Sequence, residues 1–159
     1  MARAVPKNFR TVTPHLTIEG ASDAIKFYKK AFGAKERGRM KAADGKRLMH
    51  AMIMVGNSVV MLNDAFPEWG SKGPKALGGS AVAIHLYVED ADKVFKKALK
   101  AGATVAMPLA DMFWGDRYGI LLDPFGHRWA IATHKKDLSP AQMAKAAKAA
   151  MAQQPPKAE

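Results

Sequence analysis

The chain repeats itself. A strand-like run, an amphipathic helix and three further short strands occur once between residues 11 and 63 and again between residues 81 and 134. An internal repeat of this kind narrows the possible folds more than any other property of a sequence. In the first copy, residues 11–18 (Thr-Val-Thr-Pro-His-Leu-Thr-Ile) alternate and are rich in β-branched side chains, and Pro14 is tolerable only where no ladder hydrogen bond is donated. Ser22 reads as an N-cap, and Ala24, Ile25, Phe27, Tyr28, Ala31 and Phe32 form an apolar stripe at helical spacing that stops at Gly33. Strands are expected at 36–41, at 48–55 after the Asp44-Gly45 turn, and at 58–63 after Gly56-Asn57. The second copy calls for a strand at 82–88, a helix capped by Asp90 and ended by Gly102, and strands at 104–108, 118–122 and 128–133. An offset of 70 lays His15 on His85 and Ile18 on Val88, and the helix-ending glycines differ by 69. The fold class that follows is α+β, built from two βαβββ modules.

Five segments result. They are a basic N-terminal arm (1–10), the first module (11–63), a Gly/Pro-rich stretch (64–80) that breaks every periodicity and reads as a linker or lid, the second module (81–134), and a basic, Ala-rich C-terminal helix and tail (135–159). The Ser139-Pro140 pair opens the last helix, which runs to about residue 153 before Pro155-Pro156 stops it. Its apolar side is mostly Ala with Met143 and Met151, so it needs the body or a second subunit to pack against.

Composition excludes several chemistries. Without Cys there is no disulfide, no thiolate zinc site and no Cys nucleophile, and any metal falls to His, Asp and Glu. No Ser lies in a Gly-x-Ser-x-Gly elbow and no phosphate-cradling Gly-x-x-x-x-Gly-Lys loop occurs. The net charge is +11, of which each end contributes +3, so the body is only mildly basic. Lys is scattered rather than interleaved with stacking aromatics, which argues against nucleic acid as a partner and leaves a general attraction for anions. No apolar run reaches the roughly 20 residues of a membrane helix, and residues 1–7 lack the apolar stretch of a secretory signal, so a cytoplasmic protein without a membrane partner is expected.

The stretch Ala-Ile-Lys-Phe-Tyr-Lys-Lys-Ala-Phe-Gly-Ala (24–34), with Trp-Gly-Asp-Arg-Tyr-Gly (114–119) and Asp-Pro-Phe-Gly-His-Arg-Trp (123–129), resembles the vicinal oxygen chelate superfamily. This group includes glyoxalase I, extradiol dioxygenases and the fosfomycin and bleomycin resistance proteins, and the likeness is greatest to its PhnB-like branch. The resemblance spans roughly residues 9–134 and implies paired modules whose sheet curls into a half-barrel around a ligand cup, in a homodimer. In metal-dependent members, the first and last strand of each module supply the ligands. Counting from Phe27-Tyr28 and through the turns, those positions hold Thr13, Met61, Ala83 and Ala130, none of them a good divalent-metal ligand. His15 and His85 stand two residues beyond Thr13 and Ala83, on the same face by strand alternation, with Asn63 as a companion.

The reading that follows is a metal-independent protein that holds a small, partly apolar, anionic molecule, with no cofactor. Its site is expected to comprise Thr13, His15, Met61, Asn63, His85, Trp114 and Arg117. Asp116 and Arg117 could present an Arg fork to a carboxylate or phosphate beside a Trp114 wall, or form a local ion pair that holds a hairpin. The competing reading is a lyase, isomerase or dioxygenase in which His15 and His85 act as catalytic residues and hold a divalent metal such as Zn, Ni, Fe or Mn. His50, His127 and His134 read as structural or solvated, and Asp123 as the residue that holds its turn.

Overall fold

In the computed structural model, which describes residues 2–152, the repeat is realised twice over. The first unit runs β1 (His15–Ile18), α1 (Ala21–Phe32), β2 (Lys35–Lys41), β3 (Leu48–Val55) and β4 (Ser58–Asp64). The second runs β5 (Ala83–Tyr87), α2 (Ala91–Ala101), β6 (Thr104–Asp111), β7 (Asp116–Leu122) and β8 (Arg128–His134), and α3 (Pro140–Ala152) follows. Each unit forms its own four-stranded sheet, in the orders β1-β4-β3-β2 and β5-β8-β7-β6. The first and last strands of each unit pair in parallel, β1 with β4 and β5 with β8, while the other pairs are antiparallel. A parallel pair needs a long crossover, and here the helix and the two intervening strands provide it.

Alternation along the strands divides each sheet into a helix side and an inner side. On the helix side Leu16, Ile18, Ile53, Leu62, Leu121, Trp129 and Ile131 join Ile25, Tyr28, Phe95 and Ala98 of the helices in one core. The two units meet through aromatic rings: Trp129 is fully buried, with its ring centre 4.6 Å from Phe32 and 5.1 Å from Tyr28. Asp123 ties this contact together. It accepts hydrogen bonds from the Tyr28 hydroxyl (2.7 Å) and Trp129 Nε1 (2.9 Å), and from the backbone N–H groups of Phe125 and His127 (2.9 Å each). It therefore holds its turn and also joins the units. Burial, reinforced by the neighbouring Asp123, pushes the Tyr28 hydroxyl well above its ordinary pKa and keeps it a donor.

Several boundaries differ from the sequence reading for physical reasons. Helix α1 starts at Ala21 and not after a Ser22 cap; Gly20 takes a left-handed φ of 91°. Its first donors go to Asp64 at the end of β4, whose Oδ1 accepts from Gly20 and Ala21 N–H (2.9 Å each) while Oδ2 accepts from Leu48 N–H (2.6 Å). The Ser22 hydroxyl accepts from Arg39 instead. In the second unit Asp90 caps α2 through Lys93 N–H (2.9 Å), and the Thr133 hydroxyl takes Ala91 N–H (2.8 Å) from the position equivalent to Asp64. Strand β1 is shorter than residues 11–18, because Pro14 contributes only its carbonyl, which accepts from Met61 N–H (2.9 Å). Strand β6 continues past Pro108 through register shifts, which accommodate a residue that cannot donate. Strand β7 begins two residues earlier than expected, at Asp116.

Within residues 64–80, Gly73 and Pro74 are buried between the end of β1 and the turn of residues 123–127. A Cβ on Gly73 would come 3.3 Å from the Thr17 carbonyl, and one on Gly126 would come 2.9 Å from Pro74 Cβ. This part of the segment is packed as a wedge. Helix α3 opens with a reciprocal cap, Ser139 N–H donating to Gln142 Oε1 (2.9 Å) and Gln142 N–H to Ser139 Oγ (3.3 Å), and it buries no residue. Its expected end near 153, the Pro155-Pro156 stop and the rest of the tail lie outside the described residues. No helix among the described residues is long and apolar enough to cross a membrane.

Candidate functional site

The inner faces carry the candidate chemistry, and the strand register says which side chains share them. On the first sheet, His15, Met61 and Met52 are level on β1, β4 and β3. The next row holds Thr17 and Asn63, with His50 and Met40 level on β3 and β2. His15 and His50 meet edge to face, their ring centres 5.9 Å apart. Asn63 donates its side-chain amide to the Asp64 carbonyl (2.7 Å). Thr13 precedes β1, and its hydroxyl donates to the Arg10 carbonyl (2.9 Å).

On the second sheet the rows are His85, Ala130, Ile120 and then Tyr87, Ala132, Tyr118. Ala130 and Ala132 lie on the central strand β8 and are 1% and 0% exposed although they face inward. Small residues there let the flanking rings lean over the strand. The centre of the His85 ring is 4.5 Å from that of Tyr87 and 5.6 Å from that of Tyr118, and Tyr118 is 5.4 Å from Trp114. Phe113 continues the series at 5.1 Å from Trp114. The result is a ribbon of rings across one sheet face, geometry suited to stacking against a flat molecule.

Asp116 anchors one end of this ribbon. It is 4% exposed and accepts from Tyr87 Oη (3.1 Å) and Trp114 Nε1 (3.2 Å), while its Oδ1 lies 2.7 Å from His134 Nδ1. Burial pushes its pKa up, but the hydrogen bonds from His134, Tyr87 and Trp114 outweigh that and hold it below the ordinary carboxylate value. His134 also reaches Asp137 (2.9 Å); hydrogen bonding to Asp137 and then to Asp116 raises its pKa.

The expected site residues thus fall into groups. His15, Met61 and Asn63 come together on the first sheet, and His85 and Trp114 come together through Tyr118 on the second. Arg117 is turned the other way: its guanidinium forks onto Asp92 of α2 (3.0 and 2.8 Å) on the helix side, which takes it away from Trp114. Of the two alternatives open for Arg117, the ion pair is the one formed, with Asp92 on the helix and, at 3.5 Å, with Asp111 across the β6–β7 hairpin. Sequence reasoning missed Tyr87, Tyr118 and the His50 contact, and it placed Asp116 with Arg117 rather than with Tyr87, Trp114 and His134. Alternation from His85 and Ile120 was a usable signal for the two tyrosines; nothing local paired Asp116 with His134 or His50 with His15. Between the first unit and the edge of β5 lies a groove of about 580 Å³ lined by Pro14, Val59, Ile84, His85, Tyr87 and Val88, among others.

The register also tests the fit of a divalent metal. Met61 is level with His15, not Thr13, and Ala130 is level with His85, not Ala83. The level sets offer two imidazoles, two thioethers and the aliphatic groups of Ala130 and Ile120, without a carboxylate. No group of three or more His, Cys, Asp or Glu that could hold a metal occurs among the described residues. A hard divalent ion does not fit this donor set.

The profile of the Glyoxalase/Bleomycin resistance protein/Dioxygenase superfamily matches residues 12–131, which takes in both units. The chain belongs to this superfamily. An uncharacterized protein of Mycobacterium bovis is 47% identical over 131 residues, covering 80% of this chain and 86% of that one. Among solved structures, the Arabidopsis thaliana gene product At5g48480 superposes with a TM-score of 0.62 at 29% identity, over 78% of this chain and 98% of that one. The PhnB protein of Bacillus cereus, described as a putative 3-demethylubiquinone-9 3-methyltransferase, has a TM-score of 0.60 over 78% of this chain and 99% of that one. At 18% identity this last likeness bears on the fold alone. The superfamily fold, with its open curled sheets, is therefore the frame in which the two inner faces sit.

Proposed function

We propose that this glyoxalase-superfamily chain binds a small, flat, partly apolar anion without using a hard divalent metal. The observation that carries the reading is the ribbon Tyr87–His85–Tyr118–Trp114 over the small floor of Ala130 and Ala132. Rings in this arrangement favour an aromatic or conjugated ligand. The chain's net charge of +11 favours an anionic one, and the carboxylate of this face, Asp116, is already occupied by three hydrogen-bond partners. The inner face of the first sheet, with Thr17, His15 and Asn63, supplies polar groups of the kind that orient a ligand.

A homodimer completes this reading. Both inner faces are partly open to solvent, with Tyr87 at 66% exposure, and a second copy would bury this apolar surface and deepen the cup. A lyase, isomerase or dioxygenase chemistry built on His15, His85 and a divalent ion draws no support from the register, because no carboxylate is level with either imidazole.

The test is a calorimetric screen of aromatic carboxylates, with matched neutral and cationic analogues, against the wild type, Tyr118→Ala and His85→Ala. The expected result is saturable binding of anionic aromatics that weakens at least tenfold in Tyr118→Ala, while Arg117→Ala leaves affinity unchanged. Preference for aliphatic or cationic ligands, or equal binding by Tyr118→Ala, refutes the assignment.

A further inference from the structure

We infer that the inner face of the first sheet is a soft-metal site that takes monovalent copper on His15, His50, Met52 and Met61. The register supplies three of these donors in one row: His15 on β1, Met61 on β4 and Met52 on β3. Adjacent strands lie about 4.8 Å apart, so the three side chains rise side by side from one face. His50 lies two residues before Met52 and points to the same face, and its ring centre is 5.9 Å from that of His15, with the planes perpendicular. A metal bound by an imidazole nitrogen at about 2.0 Å lies about 3 Å from the ring centre. Ring centres about 6 Å apart leave room for one ion between them, which both rings ligate once the ring now presenting its face rotates to turn a nitrogen inward.

The donor type selects the metal. Two thioethers and two neutral imidazoles form an uncharged, soft set, and thioether sulfur favours Cu(I) over ions that prefer oxygen. The unbranched methionine side chains can bring their sulfurs to the ion without moving the strands. Met52, Met61 and His50 are partly buried and His15 is exposed, so the face is open to an incoming ion. His127 and His134 engage their ring nitrogens with Thr17, Asp116 and Asp137, whereas His15 and His50 meet each other. This site needs only one sheet of one copy and does not rest on the ligand-cup reading.

The experiment is anaerobic titration of the full chain with Cu(I) held by a chromophoric chelator, for the wild type, Met52→Leu/Met61→Leu and His15→Ala. Leucine keeps the volume and apolarity of methionine and removes the sulfur, so the double variant reports on ligation and not on packing. The site predicts one Cu(I) per chain, X-ray absorption showing both nitrogen and sulfur neighbours, and at least a tenfold loss of affinity in the leucine variant with its thermal unfolding unchanged. Zn(II) under the same conditions should bind more weakly than Cu(I). Failure to hold one equivalent of Cu(I), or equal affinity in wild type and leucine variant, overturns the assignment. Copper binding without uptake of aromatic anions would retire the proposed function and leave this site standing, and the reverse result would do the opposite.

Discussion

Asp123 should account for a large part of the stability of this fold, and the claim can be worked through quantitatively. Its carboxylate accepts from Tyr28 Oη, Trp129 Nε1 and two backbone N–H groups, and the Tyr28 and Trp129 side chains are both fully buried. Tyr28→Phe removes one donor and leaves the carboxylate with three partners, at a cost of about 1–2 kcal/mol. Asp123→Ala is the opposite case, because it strands buried donors that have nowhere else to turn. At about 1–3 kcal/mol for each orphaned group, three buried donors bring the loss to about 3–9 kcal/mol. That is a large fraction of the roughly 5–15 kcal/mol typical of a domain. The two should also be coupled: in an Asp123→Ala background, removing the Tyr28 hydroxyl relieves an orphan and should cost nothing or stabilise. Urea unfolding followed by far-ultraviolet circular dichroism on the four-member cycle measures all of this. The argument is refuted if Asp123→Ala costs no more than Tyr28→Phe, or if Tyr28→Phe costs the same in both backgrounds, since Asp123 would then serve only its own turn.

Two further tests address the end of the second sheet. The folded-state pKa of His134 is raised above its ordinary 6.5, so its contribution is complete below that value and is lost as pH rises through the raised one. The pKa of Asp116 is lowered from 3.8, so its contribution is present above that value and is lost as pH falls through the lowered one. The thermal-stability advantage of wild type over His134→Gln should therefore be greatest between about pH 4 and 6.5 and fade in alkaline solution; a gap that is constant or grows with pH would contradict the pairing. Gly115 has a φ of +100°, its added Cβ would run into the Lys136 carbonyl, and its own carbonyl accepts from Lys135 and Lys136 N–H (2.9 and 3.0 Å). Gly115→Ala should destabilise by about 1–3 kcal/mol and speed amide exchange at those two residues. Gly45→Ala, at φ +68° with nothing within 4 Å, should cost only about 1 kcal/mol. Equal costs at the two glycines would refute the steric part of this argument.

Local chemistry explains what could be read without coordinates. The repeat, the order of its elements, the Asp90 cap and the glycines that end α1 and α2 all depend on residues within a few positions of one another. So does the alternation that puts His15 and Met61 on inner faces, since a strand repeats every two residues whatever it packs against. The poor donor set at the divalent-metal positions is likewise a property of residue types.

What eluded the sequence depends on partners brought from far along the chain. The cap of α1 is the carboxylate of Asp64, 43 residues away from Ala21, and Ser22 in the expected place could not compete with it. Arg117 had the same local sequence whether it forked onto a ligand or onto Asp92, and only the packing of α2 against the sheet chose between them. His50 became a neighbour of His15 because β3 lies beside β4, and β4 beside β1, an order that neither histidine encodes. The sequence by itself therefore determined the elements, their repetition and the chemical types available. The tertiary structure alone decided which of those groups meet, because hydrogen bonds, ion pairs and shared ligands depend on distance in space and not on distance along the chain.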